Sequence, residues 1–365
     1  MRYSYQEFLI HYVNKNKYSP YVESDIVGGC NGLYKEKETP YRNISHWISL
    51  ISEIATFENK YSEMVGQMVD NILDVHIENK PYKSRYSNKN SSNGLIGSAW
   101  IIEGLGNSLA FSNSHEATCD VIVDLCNLYP INVNTGIFPE IVEPDGSTIG
   151  LDGTFNHQLW LASSLAQAGA ALKHSETILK SKIFSEKIFN NIKINKFGAV
   201  FHGLGMLPRY QKNLIKRVID SAYRKDMLEK EWGYHAFNLL GLIRLRNSGI
   251  SIDMQRFDEL FLKLESLTHT KDFWKGNHNN KYGSTYNPVG IEVAVSQSHG
   301  DFQLKDICTA LNYHFSQFFN PEKFTFIGSV DDPTLNARLY ELTYLSDLAK
   351  NMISYDSSVN KWSAR

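Results

Sequence analysis

Cysteine is sparse and nowhere arranged for metal or redox chemistry: Cys30, Cys119, Cys126 and Cys308 are scattered, with no CxxC and no Cys/His cluster at zinc spacing. They read as reduced, mostly buried thiols, and the sequence calls for no metal or other cofactor. Long apolar runs are missing too, and the beginning, MRYSYQEFLIHYVNK, has no basic stretch leading into a continuous apolar segment. A membrane span and a secretory leader are therefore not expected, and the chain reads as soluble and cytoplasmic. Nor does one sign of charge prevail, since 37 Lys+Arg face 39 Asp+Glu for a net charge of -2. Bulk electrostatics draws such a chain neither to nucleic acid nor to an anionic membrane.

What is present suffices for a large core. Apolar residues make up 42% and charged residues 21% of 365 residues, a balance that excludes a disordered scaffold. The length is near what closed barrels and toroids reach as one unit, so a single domain over residues 1–365 is expected. Aromatics are plentiful, with 20 Tyr, 19 Phe and 6 Trp, which suits both a big core and a surface that stacks on flat apolar faces.

Six segments share one grammar, a polar or Gly-rich stretch followed by an aromatic-bearing apolar helix. They are NISHWISLISEIA at 43, NGLIGSAWIIEGLGNSLAF at 93, GTFNHQLWLASSLAQAGAAL at 153, WGYHAFNLLGLIRL at 232, NPVGIEVAVSQSHG at 287 and PTLNARLYELTYLSDLA at 333. Between them run stretches whose apolar residues recur at helical spacing on one face only, such as 61–78, 115–129, 175–190, 253–268 and 304–319, with QEFLIHYV near the start as a sixth. A helix apolar all round needs cover on every side, so the first class belongs inside and the second outside. Alternation gives six helical hairpins, and closing them into an (α/α)6 toroid leaves no unpaired end. Glycines such as Gly104 and Gly241 cost helix propensity but allow close helix approach. An open superhelix would need a more regular repeat and capping ends.

The starts of the inner helices carry unusual polar residues: Arg42 and His46, then Asn156 and His157, then Tyr234 and His235, then Glu292. In a toroid they converge on one cleft. Trp47, Trp100, Trp160 and Trp274 lie near them, and flat apolar plates among donors and acceptors suit a sugar ring, although any single Trp fits an ordinary core equally well. Hydrolysis of a glycoside needs a carboxylic acid and a carboxylate. Asp152 and Glu292, ahead of inner helices three and five, are the expected pair, with Glu103 in reserve, or else joined structurally to Arg42 or Arg338. Glu140, Glu143 and Asp145 read as solvated loop charges. A uronate lyase fits FNHQLW as well: Asn156 to hold the sugar carboxylate, His157 as base, Tyr234 or Tyr210 as acid, with Arg209 and His202 covering the site. A glycan-binding protein without catalysis is the third reading.

The runs NGLYKEKETPYRNISHW, NGLIGSAWIIEGL, DGTFNHQLW and YNPVGIEV resemble the six-hairpin glycosidase-type proteins encoded in surface-polysaccharide and N-glycosylation gene clusters. That resemblance covers most of the chain and implies an (α/α)6 toroid acting on an oligosaccharide or polysaccharide. FNHQLW is also similar to the N-H-x-x-W stretch of toroidal alginate-type lyases, which places catalytic roles on Asn156 and His157. The sequence departs from that pattern in the Asp and Gly-Thr just ahead, which leaves the reaction type open between hydrolysis and elimination.

Overall fold

Outer helix α1 (Tyr5–Asn16) precedes the first inner helix, α2 (Tyr41–Ala55). Outer and inner then alternate through α3 (Ser62–Leu73), α4 (Gly94–Ser108), α5 (His115–Asn127), α6 (Phe155–Leu172) and α7 (Ser175–Asn191). After α8 (Ser221–Gly233) come inner α9 (His235–Asn247), outer α10 (Met254–Glu265) and α11 (Lys271–His278), inner α12 (Val289–Ser298) and outer α13 (Leu304–Phe318). The sixth inner element is α14 (Asp332–Ala337), continued as 3-10 turns over Arg338–Tyr344 and followed by α15 (Asp347–Met352). This computed structural model describes residues 1–16, 28–30, 35–87, 90–205, 220–250, 253–300, 302–329 and 331–365.

The inner elements pack in order, α2 on α4, α4 on α6, α6 on α9, α9 on α12, α12 on Arg338–Tyr344, and that last element back on α2. The ring is closed, and the fold is an (α/α)6 toroid. Burial follows the two sequence classes. In α4 every residue from Leu95 to Leu105 is buried, whereas α10 buries only Phe257, Phe261, Leu264 and Glu265, one stripe of an amphipathic helix. Gly104 lets α4 reach α2, since an added Cβ would lie 2.8 Å from Ser45, and Gly241 does the same for α9 against Leu159 at 2.9 Å.

The chain's start covers its end. Tyr12 of α1 donates its hydroxyl to Asn336 Oδ1 at 2.7 Å, and Tyr5 donates to the Leu342 carbonyl at 3.3 Å. Outside this seam β1 (Arg2–Ser4), β4 (Ile353–Asp356) and β5 (Lys361–Ala364) form an antiparallel sheet in the order β1-β4-β5, while β2 (Phe319–Asn320) and β3 (Thr325–Phe326) make a small hairpin. Trp362 of β5 is fully buried, its ring 4.8 Å from that of Phe8.

Residues 130–153 alternate apolar and polar side chains like short strands, but that segment holds only the isolated bridges Asn132 to Ile137 and Val142 to Thr148. It is instead stitched to its neighbours by buried polar side chains. Glu143, expected to be solvated, is buried and accepts from the Ser91 amide and hydroxyl and the Ser92 hydroxyl; Glu140 and Asp145 are exposed. Gln158 of α6 bonds both the amide and the carbonyl of Phe138, each at 2.9 Å. Among the described residues no helix is long and apolar enough to cross a membrane.

Candidate active site

A cavity of ≈ 290 Å³ opens at the end of the ring where the inner elements begin. All six contribute: Arg42 from α2, Ile96 and Trp100 from α4, Asn156 and His157 from α6, Phe237 from α9, Asn287 just before α12, and Arg338 just after α14. Its size is at the lower end for small-molecule sites, enough for about one or two sugar rings rather than a long chain segment. The arrangement follows from the fold, because helix starts gathered around an axis bring their first-turn side chains, and the positive ends of their dipoles, to one place.

His157 and Asp152 form the most defined pair. The imidazole Nδ1 lies 2.7 Å from Asp152 Oδ2, which also accepts from the Leu95 amide at 3.2 Å, and Asp152 Oδ1 accepts from the Thr154 amide at 3.1 Å. Burial pushes the Asp152 carboxyl up, but the imidazole and the two amides outweigh it and hold the group at about 2. An ionised carboxylate only accepts, so Nδ1–H donates and the Nε2 lone pair remains for chemistry. The His157 side chain is 24% exposed, placed on the cavity wall.

Local sequence explains this placement. Gly94 has φ +62°, a left-handed position, and a Cβ there would sit 2.3 Å from Asp152 Oδ2 and 3.3 Å from His157 Nδ1. Gly94→Ala is therefore expected to lose about 1–3 kcal/mol of stability through strain and displacement of the pair, read as a fall in the thermal midpoint. The Phe155 amide donates to the His202 carbonyl at 2.9 Å, and Thr154 bridges Gly203, which brings His202 beside the start of α6. His202 stacks on Tyr234 with ring centroids 5.6 Å apart, and both line the cavity.

Arg338 forms part of the cavity lining and was not expected there. It donates from Nε to Glu341 Oε1 at 2.7 Å, from Nη2 to Glu292 Oε1 at 2.6 Å and from Nη1 to Asn287 Oδ1. Burial pushes the Glu292 carboxyl well up, opposed by Arg338 and reinforced by Glu341; burial likewise pushes Glu341 up to about 7. Arg42 is held by Glu38 at 2.7 Å and Asp331 at 3.3 Å, and its guanidinium lies 4.9 Å from the Trp100 ring. Arg85, in the polar stretch ahead of α4, donates to Asn93 Oδ1 and shares the same wall.

Of the expected site residues, Arg42, Trp100, Asn156, His157, His202 and Tyr234 line the cavity. The carboxylates do not. Glu292 has no exposure and stands behind Arg338; Asp152 is kept ionised and stands behind His157, so it has no proton to donate near neutral pH. Glu103 pairs with Arg244 at 3.1 Å, not with Arg42 or Arg338, and sits deeper in the ring. His46 is buried and stacked on Tyr340 at 4.5 Å, with burial and then the nearby Arg42 holding it well below the usual imidazole range. His235 is buried too, accepting from the Val200 amide on Nδ1 and donating from Nε2 to the Leu264 carbonyl, and burial pushes it down to about 4. Trp47 stacks on Tyr12, Trp160 lies 3.9 Å from Phe237, and Trp274 rests on Tyr313 in the outer layer, so these three are packing residues. Arg209 and Tyr210 lie outside the described residues. Among the described residues no three His, Cys, Asp or Glu side chains gather as metal ligands.

A closed ring of six helical hairpins with one polar and aromatic cavity at the inner-helix starts defines a six-hairpin, glycosidase-like toroid. Two solved structures share it: a D-mannose isomerase, with TM-score 0.61 at 13% identity over 93% of this chain and 98% of that one, and an unsaturated glucuronyl hydrolase specific for heparin, with TM-score 0.59 at 11% identity over 95% and 98%. In sequence the chain is 28% identical over 355 residues to archaeal glycosylation protein Q of Haloferax volcanii, spanning 89% of this chain and 93% of that protein. No protein-family model matches.

Proposed function

We propose that this chain is a carbohydrate-processing enzyme that moves a proton at the carbon next to a sugar carbonyl, with His157 as the base. The observation that carries this reading is the Asp152–His157 pair, which engages Nδ1 on a cavity-lining imidazole whose Nε2 has no partner among the described residues. In the step envisaged, Nε2 takes the proton from C2 of an open-chain aldose. The C–H pair becomes the C1–C2 double bond and the carbonyl pair moves onto O1; the proton then returns to C2, re-forming the C1 carbonyl, or to C1, the O2 hydroxyl proton passing to O1 as the C2 carbonyl forms. Trp100 and Phe237 supply apolar plates, and Asn156, Tyr234 and Arg338 supply polar groups around the ring. The likeness to a D-mannose isomerase and the glycosylation name of the sequence relative support a sugar substrate.

Hydrolysis by the Asp152 and Glu292 pair has less support, because neither carboxylate lines the cavity that a sugar would enter. Uronate elimination keeps some, since Asn156, His157 and Tyr234 do line it together. Incubation in deuterium oxide with D-mannose, D-glucose and D-glucuronate, followed by proton NMR, separates these readings. Loss of the C2–H signal with wild type but not with His157→Asn is the expected result. Hydrolysis of aryl glycosides without any such exchange would overturn it, and a rise in ultraviolet absorbance with a uronate-containing glycan would favour elimination.

A further inference from the structure

A guanidinium has five N–H groups. Glu341, Glu292 and Asn287 engage three of those on Arg338, one on each nitrogen, which leaves one N–H on Nη1 and one on Nη2 without a partner among the described residues. The side chain borders the cavity although it is only 5% exposed, and its guanidinium carbon lies over the Phe237 ring, 5.1 Å from the centroid. Two buried carboxylates sharing one guanidinium would carry net negative charge if both were ionised, at a cost too large for a site without solvent. Glu292 Oε2 and Glu341 Oε2 have no hydrogen-bond partner among the described residues, and burial pushes both groups up, which favours one proton on the pair. With that proton in place the cluster is neutral overall, and Arg338 borders the substrate space with two donors that Glu341, Glu292 and Asn287 do not engage.

We propose that Arg338 receives the oxygen on which negative charge collects when His157 removes the substrate proton, its two unspent N–H groups forming an oxyanion receptor. This role rests on the proton-transfer reading above. Glu292, Glu341 and Asn287 are positioning residues, since they hold the guanidinium and do not reach the reacting atoms. The α-proton goes to His157 Nε2 and the electron pair to the carbonyl oxygen facing Arg338, so the receptor acts on charge that exists only as the C–H bond breaks. Donors of this kind lower the barrier more than they tighten ground-state binding.

Isothermal titration with two probes tests it: D-mannonohydroxamate, which on losing its proton carries the charge and shape of an enediolate, and D-mannitol, which offers hydroxyls without that charge. Wild type is expected to bind the hydroxamate about tenfold or more tightly than mannitol, Arg338→Met to lose that preference, and Arg338→Lys to regain part of it. Where an exchanging sugar is in hand, Arg338→Met is expected to lower kcat by about 10²-fold with little change in KM. Because Arg338→Met strands two buried carboxylates, the same comparison is made in the triple variant R338M/E292Q/E341Q. A preference surviving in either Met variant, or absent from wild type, overturns the proposal. Failure of the proton-transfer reading shows separately, as an absence of deuterium exchange in wild type while the hydroxamate preference is still read.

Discussion

His157→Asn is expected to lower the rate of substrate C–H exchange by about 10²–10⁴-fold, the range for loss of a positioned general base. The variant should still fold, because the imidazole is 24% exposed and an Asn amide can still donate toward Asp152 Oδ2. Asp152→Asn tests the other half of the pair by a different route. An amide at 152 can turn its NH₂ toward Nδ1, which then accepts and leaves the proton on Nε2, the wrong tautomer for a base. Activity should fall with little change in substrate binding, so kcat and not KM carries the loss. Equal turnover in wild type and His157→Asn would remove the pair from the reaction.

The same pair gives a stability signature in acid. The Asp152 carboxyl is held at about 2 in the folded chain, below the ordinary range for an aspartate, because its burial is outweighed by the His157 imidazole and the Leu95 and Thr154 amides. A depressed carboxylate contributes stability that is fully present above its unfolded value and is lost as pH falls through the folded one. The contribution is about 2 kcal/mol and should vanish between roughly pH 4 and pH 2. Urea denaturation at a series of pH values should show that loss in wild type, and a correspondingly flatter profile in Asp152→Asn.

Much of the toroid was legible because its signal is periodic. α4 and α6 are apolar all round and α10 and α3 on one side only, and that contrast survives without any tertiary information. The irregular spacing of the repeats reflects loops of unequal length, while the ring depends only on the number and alternation of helices. The short strands were invisible for the opposite reason, since two to four residues carry no readable period. At the site, polar residues in the first turns of inner helices were a sound guide: Asn156, His157 and Arg42 do reach the cavity. Carboxylates were a poor one. Glu292 is a lone charge in an apolar helix start, and sequence cannot say whether such a group faces substrate or the guanidinium of Arg338, 46 residues on. The i,i+3 pair of Arg338 and Glu341 inside an apolar segment was the available hint that an arginine was held there.

Glu103 shows what a buried carboxylate does when it is not part of a reaction, and its replacement should have the largest effect on stability. Its Oε2 accepts from Trp160 Nε1 and Tyr340 OH, both at 3.2 Å, and its Oε1 accepts from Tyr344 OH at 2.6 Å and pairs with Arg244 at 3.1 Å. Arg244 donates in turn to Ser164 at 3.2 Å and Gln167 at 2.9 Å, its guanidinium 4.7 Å from the Trp160 ring. Inner elements α4, α6, α9 and Arg338–Tyr344 thus meet on one carboxylate inside the ring, below the cavity. Glu103→Leu leaves a fully buried guanidinium, two hydroxyls and the Trp160 indole N–H without their carboxylate, which should cost about 3–5 kcal/mol. For a chain of 365 residues unfolding as one unit, that is a fall of about 5 °C in the thermal midpoint. The double variant Glu103→Leu/Arg244→Leu should recover part of the loss, because the stranded charge goes with its partner. If the two single changes simply add, Glu103 and Arg244 are separate packing residues, and the inner helices must be held in register by apolar contact alone.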